Sequence, residues 1–309
     1  MRVAAIDIGT NTVLLLVADG GTGAPLHAVA ERATITRLGE GVDRTRRLSP
    51  AAVARTRECL EHYARDVREL GAERVAVVGT SAMRDTKGGR EVREHVRSLF
   101  GVEARVLRGE EEARLTFRGA MSGIAIDARK DLAVFDIGGG STEVVIGRVE
   151  QGAAHVAFAA SYDIGSVRLT ERQVTHDPPT GKERDALMQT ARGVFANVPP
   201  LPDSSSPVGI AGTMTTLAAV ALCLEHYDGA RVHGHLMPLA ELRRVVDRLV
   251  SVNLETRKRV QGMEPKRADV IVAGGLLALA LLEHWAATAV RVSDRGVRWG
   301  LAEELISCP

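Results

Sequence analysis

The sequence predicts an α/β fold of two related halves with a cleft between them, and three observations carry that prediction. Short runs rich in Val, Ile and Ala alternate with longer amphipathic stretches, the order expected of strands and covering helices. A segment near the N-terminus, Ala4-Ala5-Ile6-Asp7-Ile8-Gly9, returns as Ala133-Val134-Phe135-Asp136-Ile137-Gly138. The chain has 309 residues, 45% hydrophobic and 26% charged, which suits two soluble domains better than one small core. The expected domains are 1–122 and 123–309, with the last helix, 296–307, packing back on the first.

In each copy of the repeat an apolar strand ends in Asp, a glycine turn with Thr or Ser follows, and a second β-rich run continues (Val13 to Ala18; Val144 to Val149). Strand, tight turn, strand reads as a hairpin opening each half. After the first hairpin the pattern predicts strands near Leu26–Ala30 and Ile35–Leu38. Ser49-Pro50 caps a helix from Pro50 to about Leu70, with Pro at its first position. A buried strand, Arg74–Gly79, a helix near Arg90–Phe100, a strand Val102–Leu107 and a helix from about Glu110 to Met121 complete the first half.

The second half continues with a strand at Ala154–Ala160, a helix from Gly165 and another over about Lys182–Phe195. A strand Val208–Ala211 runs through Gly212-Thr213 into a helix. Further helices are expected at Pro238–Val250 and Arg267–His284, then a strand Ala289–Ser293 and the last helix from Gly296.

Composition excludes several classes of function. A net charge of +1 announces neither a nucleic-acid nor a membrane partner. Aromatic residues make up 3%, too few for the stacking platforms of single-strand binding. Three widely spaced cysteines (Cys59, Cys223, Cys308) form no CxxC, which excludes a disulfide framework or a cysteine zinc site and suits a reducing cytoplasm. The longest apolar run, Val270 to Leu282, falls short of the ~20 residues that span a bilayer. Asp7 interrupts the N-terminal apolar stretch, so no signal peptide is expected. The cations are lopsided, 35 Arg against 5 Lys. GC-rich codon usage explains that simply, though Arg also grips phosphate oxygens in a planar fork.

Both hairpin turns share one chemistry. A carboxylate at the end of a buried strand, Asp7 or Asp136, can hold Mg²⁺ directly or through water. Glycines let the backbone approach a phosphate, and successive N–H groups in the turn make an anion-binding nest. Thr10, Asn11, Ser141 and Thr142 add side-chain donors. One such turn is an ordinary hairpin; two, the second reading Gly138-Gly139-Gly140-Ser141, point to phosphate.

This pair resembles the phosphate loops of the actin and sugar-kinase superfamily, with Gly212-Thr213 similar to a third loop of that group. The resemblance implies two actin-like (ASKHA, RNase H-like) domains with an interdomain cleft. Six ordered segments narrow it: Asp7 to Asn11, Arg37 to Gly41, Gly79 to Arg84, Gly109 to Leu115, Phe135 to Glu143 and Ser293 to Arg298. Together they resemble the exopolyphosphatase/guanosine pentaphosphate phosphohydrolase (Ppx/GppA) family over essentially the whole chain. Ending at Pro309, the chain is similar to the short members without C-terminal helical domains.

That resemblance implies hydrolysis of the terminal phosphate of inorganic polyphosphate, and of guanosine pentaphosphate, by water with Mg²⁺ or Mn²⁺. Glu112 matches the family's catalytic base. Asp136 and Glu143 match the metal-side carboxylates, with Asp7 in the equivalent place of the first hairpin, and Arg84 matches the phosphate-contacting arginine. Thr10, Asn11, Gly138, Gly139, Gly140, Ser141, Thr142, Gly212 and Thr213 are the remaining phosphate-binding candidates. A homodimer is one implied assembly.

Plainer readings stand beside these. Glu110, Glu111 and Glu112 also suit the first turn of a helix, where acids complement the macrodipole. Where the family often has Asn beyond Arg84, this chain reads Thr86-Lys87-Gly88, and Lys87 is expected to take over part of the anion contact. Trp299 stands where relatives carry an acid, and Arg295 and Arg298 are candidate cleft residues. His233-Gly234-His235 has metal-binding spacing without a visible third ligand, and Arg257-Lys258-Arg259 with Lys266 and Arg267 reads either as a track for a long polyanion or, more simply, as a solvated helix face. The alternatives in function are an ATP-dependent kinase or ATPase of the same superfamily, and a non-catalytic sensor of the alarmone or of polyphosphate.

Overall fold

The computed structural model describes residues 1–21, 24–84, 86, 89–124, 131–150, 153–201 and 207–307. In chain order the first elements are β1 (Arg2–Ile8), β2 (Thr12–Asp19), β3 (His27–Ile35), α1 (Val42–Thr45) and α2 (Pro50–Glu69). Then come β4 (Arg74–Gly79), α3 (Ser81–Arg84), α4 (Gly89–Phe100), β5 (Ala104–Val106) and α5 (Gly109–Met121). The next group is β6 (Leu132–Ile137), β7 (Thr142–Glu150), β8 (Ala153–Tyr162), α6 (Ser166–Gln173), α7 (Gly181–Phe195), β9 (Val208–Ile210) and α8 (Ala211–Ala221). The chain closes with α9 (Gly229–Val232), β10 (Leu236–Pro238), α10 (Leu239–Val250), α11 (Leu254–Arg257), α12 (Ile271–His284), β11 (Ala289–Val292) and α13 (Val297–Ser307).

These elements form two compact units, Met1–Ala125 with Gly296–Pro309, and Ile126–Arg295. The first holds a five-stranded sheet in the order β3-β2-β1-β4-β5, the second a six-stranded sheet in the order β10-β11-β9-β6-β7-β8. In both, an antiparallel meander is followed by strands parallel to its first member: β4 beside β1, and β9 beside β6. The duplication visible as a repeated hairpin therefore extends to whole sheets.

Alternation along β1 sorts the first unit's core into two layers. Ala4, Ile6 and Ile8 pack with Val53, Leu60, Tyr63, Val92 and Val96 of α2 and α4. Val3 and Ala5 lie with Leu115 of α5 and with Val297, Trp299 and Leu301 of α13. Successive side chains of a strand point to opposite faces, so Asp7 shares the face of Val3 and Ala5. The second unit closes around α12, buried from Ile271 to Leu282.

Two expectations change here. Leu26–Ala30 and Ile35–Leu38 are not separate strands; β3 is one edge strand paired with β2 from Thr12↔Ile35 to Asp19↔His27. Its exposed Glu31 and Arg32 break the apolar pattern because an edge strand tolerates charge. Arg257 is no part of a solvated face. At 2% exposure its guanidinium donates to the carbonyls of Leu249, Ala268 and Val252 and pairs with Asp177.

In the first core layer burial pushes up both the Cys59 thiol and the Tyr63 phenol, whose hydroxyl donates to Val13 O (3.1 Å). Unfolded, such groups ionise at about 8.5 and about 10. The folded chain keeps these protons longer, so their share of stability is whole below those values and shrinks as pH rises past them. Urea unfolding between pH 8 and 11 should show that decline, and a Cys59→Ala/Tyr63→Phe variant should flatten it. An unchanged slope would assign the alkaline loss to other groups.

Candidate active site

Parallel pairing brings three segments of the first unit to one sheet edge. Ile8 lies opposite Gly79, and Gly79 opposite Val106. The turn after β1, the short α3 after β4 and the N-terminus of α5 after β5 all leave from these carboxyl ends, where open α/β sheets bind ligands. They carry Asp7, Thr10 and Asn11, then Arg84, then Glu112.

Asp7, Thr10 and Asn11 are 8%, 8% and 7% exposed. The turn closes through Gly9 N–H donating to Thr12 O (3.0 Å). Thr36 and Arg37 donate to Asn11 O and Gly39 to Thr10 O, so residues 36–39 hold the turn from behind. Thr10 Oγ1 shares a hydrogen bond with Ser81 Oγ (2.8 Å), and Asn11 Nδ2 is buried with no acceptor among the described residues. An unsatisfied buried donor at a sheet edge costs stability, and an anion would satisfy it.

The three consecutive glutamates separate by role. Glu110 is exposed. Glu111 accepts from Arg108 N (3.0 Å), satisfying the N–H of the residue that precedes the helix, and that backbone bond holds its carboxyl below the ordinary value. Glu112 is buried at 6% exposure, and Arg84 Nη1 donates both to its Oε2 (3.0 Å) and to Leu107 O (3.1 Å). The acid and the arginine singled out in the sequence are thus in direct contact. Lys87 lies outside the described residues.

In the second unit Asp136 pairs with Ile210 of β9, and β9 with β11, so the loops after β6, β9 and β11 again share one edge. Asp136 and Glu143 are register partners, and Glu143 in turn faces Ser161 on β8. Partners directly opposite project on the same face, so two carboxylates stand side by side there. Glu143, 1% exposed, accepts from Ser161 Oγ (2.6 Å). At the first hairpin Leu14 takes the equivalent place opposite Asp7.

The Gly138 turn closes like its counterpart, Gly138 N–H donating to Ser141 O (3.0 Å). Ser141 is 3% exposed. Thr142 is fully buried and donates to Ile164 O (2.6 Å), and Thr213 donates to Ile137 O (2.9 Å), tying the third loop to the second. The left-handed residue at that third loop is Ala211 (φ 62), a strained choice for a side-chain-bearing residue. The glycine beside it serves close approach: a Cβ on Gly212 would lie 1.8 Å from the guanidinium of Arg267.

Sequence reasoning missed Arg168 here and misplaced Arg267. Arg267 belongs to this edge rather than to a solvated face; burial pushes its pKa down against the pull of Glu264, Tyr227 and Asp136. Arg168, 6% exposed, donates from Nε to Gly140 O (2.7 Å). No local pattern marks either one, because each reaches the loop from a distant helix. Arg298 is no open-edge residue, since its guanidinium is bound to Glu31 of β3, which also accepts from Trp299 Nε1 (3.4 Å). His233 does have an acidic partner, Asp294, at 3.2 Å. Among the described residues no group of three or more His, Cys, Asp or Glu is placed to hold a metal, and no helix is long and apolar enough to cross a membrane.

Two duplicated α/β sheets, each with a glycine turn at the carboxyl ends of its parallel strands, define an actin-like fold. A family model described as the Ppx/GppA phosphatase family matches residues 16–307, and the chain belongs to that family. It is 41% identical to Exopolyphosphatase 2 of Mycobacterium tuberculosis over 98% of each chain. It is 28% identical to a guanosine-5'-triphosphate,3'-diphosphate pyrophosphatase of Vibrio atlanticus, over 98% of this chain and 59% of that one. The crystal structure of the Aquifex aeolicus family member matches with a TM-score of 0.83 at 33% identity, covering 99% of this chain and 97% of the other.

Proposed function

We propose that the chain is an exopolyphosphatase, a phosphoanhydride hydrolase that removes the terminal phosphate of inorganic polyphosphate by attack of water. The observation that carries this is the buried Glu112 carboxylate bound to Arg84 at the edge where the Asp7–Asn11 turn also ends. Glu112 takes the proton of the attacking water, and Arg84 orients that carboxylate while offering positive charge to the phosphate. Residues 138–141 of the second unit bind phosphate oxygens through peptide N–H groups, and in the first unit a phosphate oxygen at its own sheet edge supplies the acceptor that Asn11 Nδ2 lacks. Guanosine pentaphosphate is a second substrate of the same anhydride chemistry, favoured by the likeness to the Vibrio pyrophosphatase.

Mg²⁺ fits the residues present. It is commonly held by one or two carboxylates with phosphate oxygens and water completing the shell, so a cage of three side chains is not required. The adjacent Asp136 and Glu143 offer two like charges on one face, an arrangement a cation relieves. When bound, the ion neutralises charge on the phosphate oxygens. A reducing cytoplasm belongs to the same proposal, since Cys59 and Cys223 are free thiols.

The test is phosphate release from long-chain polyphosphate, guanosine pentaphosphate and ATP, with Mg²⁺ and after chelation. Release from polyphosphate, abolished by chelation and restored by Mg²⁺, is expected, and Asp136→Asn should raise the Mg²⁺ concentration needed by tenfold or more. Turnover of ATP alone would point to the kinase or ATPase alternative.

A further inference from the structure

A glycine-rich loop has no side chains to fix the direction of its peptides, so that direction must come from outside it. Here it comes from the first turn of α6. Gly138 O accepts from Ser166 N (2.9 Å) and Ser166 Oγ (3.1 Å). Gly139 O accepts from Val167 N (2.9 Å) and Arg168 N (3.0 Å), and Gly140 O from Arg168 Nε (2.7 Å). Three successive carbonyls thus turn toward one helix end. In a trans peptide the carbonyl and the following N–H point in opposite directions. The N–H groups of Gly139, Gly140 and Ser141 therefore face away from α6, and none has an acceptor among the described residues.

The bonding is reciprocal. Helix α6 begins after Gly165 without a side-chain cap, and its first N–H groups, which every helix leaves without an internal partner, are taken by the loop carbonyls. Gly165 permits the approach, because a Cβ there would lie 2.5 Å from both the carbon and the oxygen of the Gly139 carbonyl. Two of the three carbonyls are held by main-chain donors that survive substitution. Only the Gly140 carbonyl depends on a side chain alone.

We propose that Arg168 is a positioning residue for phosphate binding, turning the Gly140–Ser141 peptide so that the N–H groups of residues 139–141 form an outward anion nest backed by the start of α6. This rests on the reading of residues 138–142 as a phosphate-binding loop. Arg168 acts from behind the loop: its Nη2 lies 3.9 Å from Asp163, whose side chain is 77% exposed, and its whole residue is 6% exposed.

The experiment uses the full chain and compares wild type, Arg168→Gln, Arg168→Lys and, as a control buried arginine that also binds carbonyls, Arg257→Gln. Inorganic tripolyphosphate is titrated by calorimetry, kcat and KM are measured on polyphosphate, and thermal midpoints are recorded. Arg168→Gln should weaken tripolyphosphate binding about tenfold or more and raise KM more than it lowers kcat. Arg168→Lys should recover part of both, and Arg257→Gln should lower the midpoint with KM unchanged. If Arg168→Gln does not fold, Arg168→Lys, which lacks the Nε–H donor to Gly140 O, carries the test by a smaller loss of the same kind. Tripolyphosphate bound as tightly by a folded Arg168→Gln as by wild type overturns the proposal and leaves the phosphate loop standing. Tripolyphosphate bound by wild type without any phosphate release overturns the hydrolase reading and leaves this one standing. If wild type does not bind tripolyphosphate at all, both fall.

Discussion

Replacing Glu112 by Gln should lower phosphate release from polyphosphate by about 10²–10⁴, the usual contribution of a general base. At 1.36 kcal/mol per tenfold this corresponds to roughly 3–5 kcal/mol of barrier. The change keeps the size of a side chain only 6% exposed and leaves Arg84 its second acceptor, Leu107 O, so the thermal midpoint should move little. The neighbours sharpen the test. Glu111→Ala removes the side chain that accepts from Arg108 N and should cost about 0.5–2 kcal/mol of stability with kcat nearly intact. Glu110→Gln, on an exposed side chain, should change neither. Steady-state kinetics and calorimetry on the three variants would separate these effects. A kcat that survives Glu112→Gln would move the base to another carboxylate.

The second large effect is expected where α5 and α13 cross. A Cβ on Gly119 would lie 1.9 Å from Gly296 O, 2.7 Å from Gly296 C and 2.9 Å from Gly300 N. All three are backbone atoms, so no rotamer change relieves the clash and the helices must separate. A Cβ on Gly300 would meet Leu115 O at 2.2 Å, which shows the same closeness from the other side. Overpacking of this kind costs about 1–3 kcal/mol and sometimes more. For domains of this size Gly119→Ala should therefore lower the midpoint by roughly 2–12 °C. Because α5 carries Glu112 in its first turns, kcat should fall as well, while tripolyphosphate binding through residues 138–141 should persist. A variant with wild-type midpoint and kcat would mean that the two helices yield far more easily than their contact implies.

Gly119 and Glu112 illustrate different kinds of legibility. Glu112 stood out as one of three acids at a helix start, and only its match to a family motif distinguished it from Glu110 and Glu111. The structure separates them physically, by exposure, by the cap and by the Arg84 bond. Gly119 carried no signal at all, since its role exists only where another helix, far along the chain, crosses it. Arg168 and Arg267 belong with Gly119. One opens a helix after an apolar strand and the other sits in a basic run, and neither pattern says which backbone the guanidinium will meet.

What the amino-acid order determined by itself was local and periodic: the two hairpins with Asp at the strand end and glycine in the turn, the apolar runs that become β1, β4, β6 and β9, and the Ser49-Pro50 start of α2. Such features depend on neighbours a few residues apart, which is the range over which turn chemistry and side-chain alternation act. Tertiary structure decided the rest. Strand pairing placed Arg84 beside Glu112 across 28 residues of chain, set Asp136 opposite Glu143, and turned α6 onto the glycine loop. Those contacts follow from which strand lies beside which and which helix covers them, and the whole core chooses that arrangement at once, through burial that no short window of residues contains.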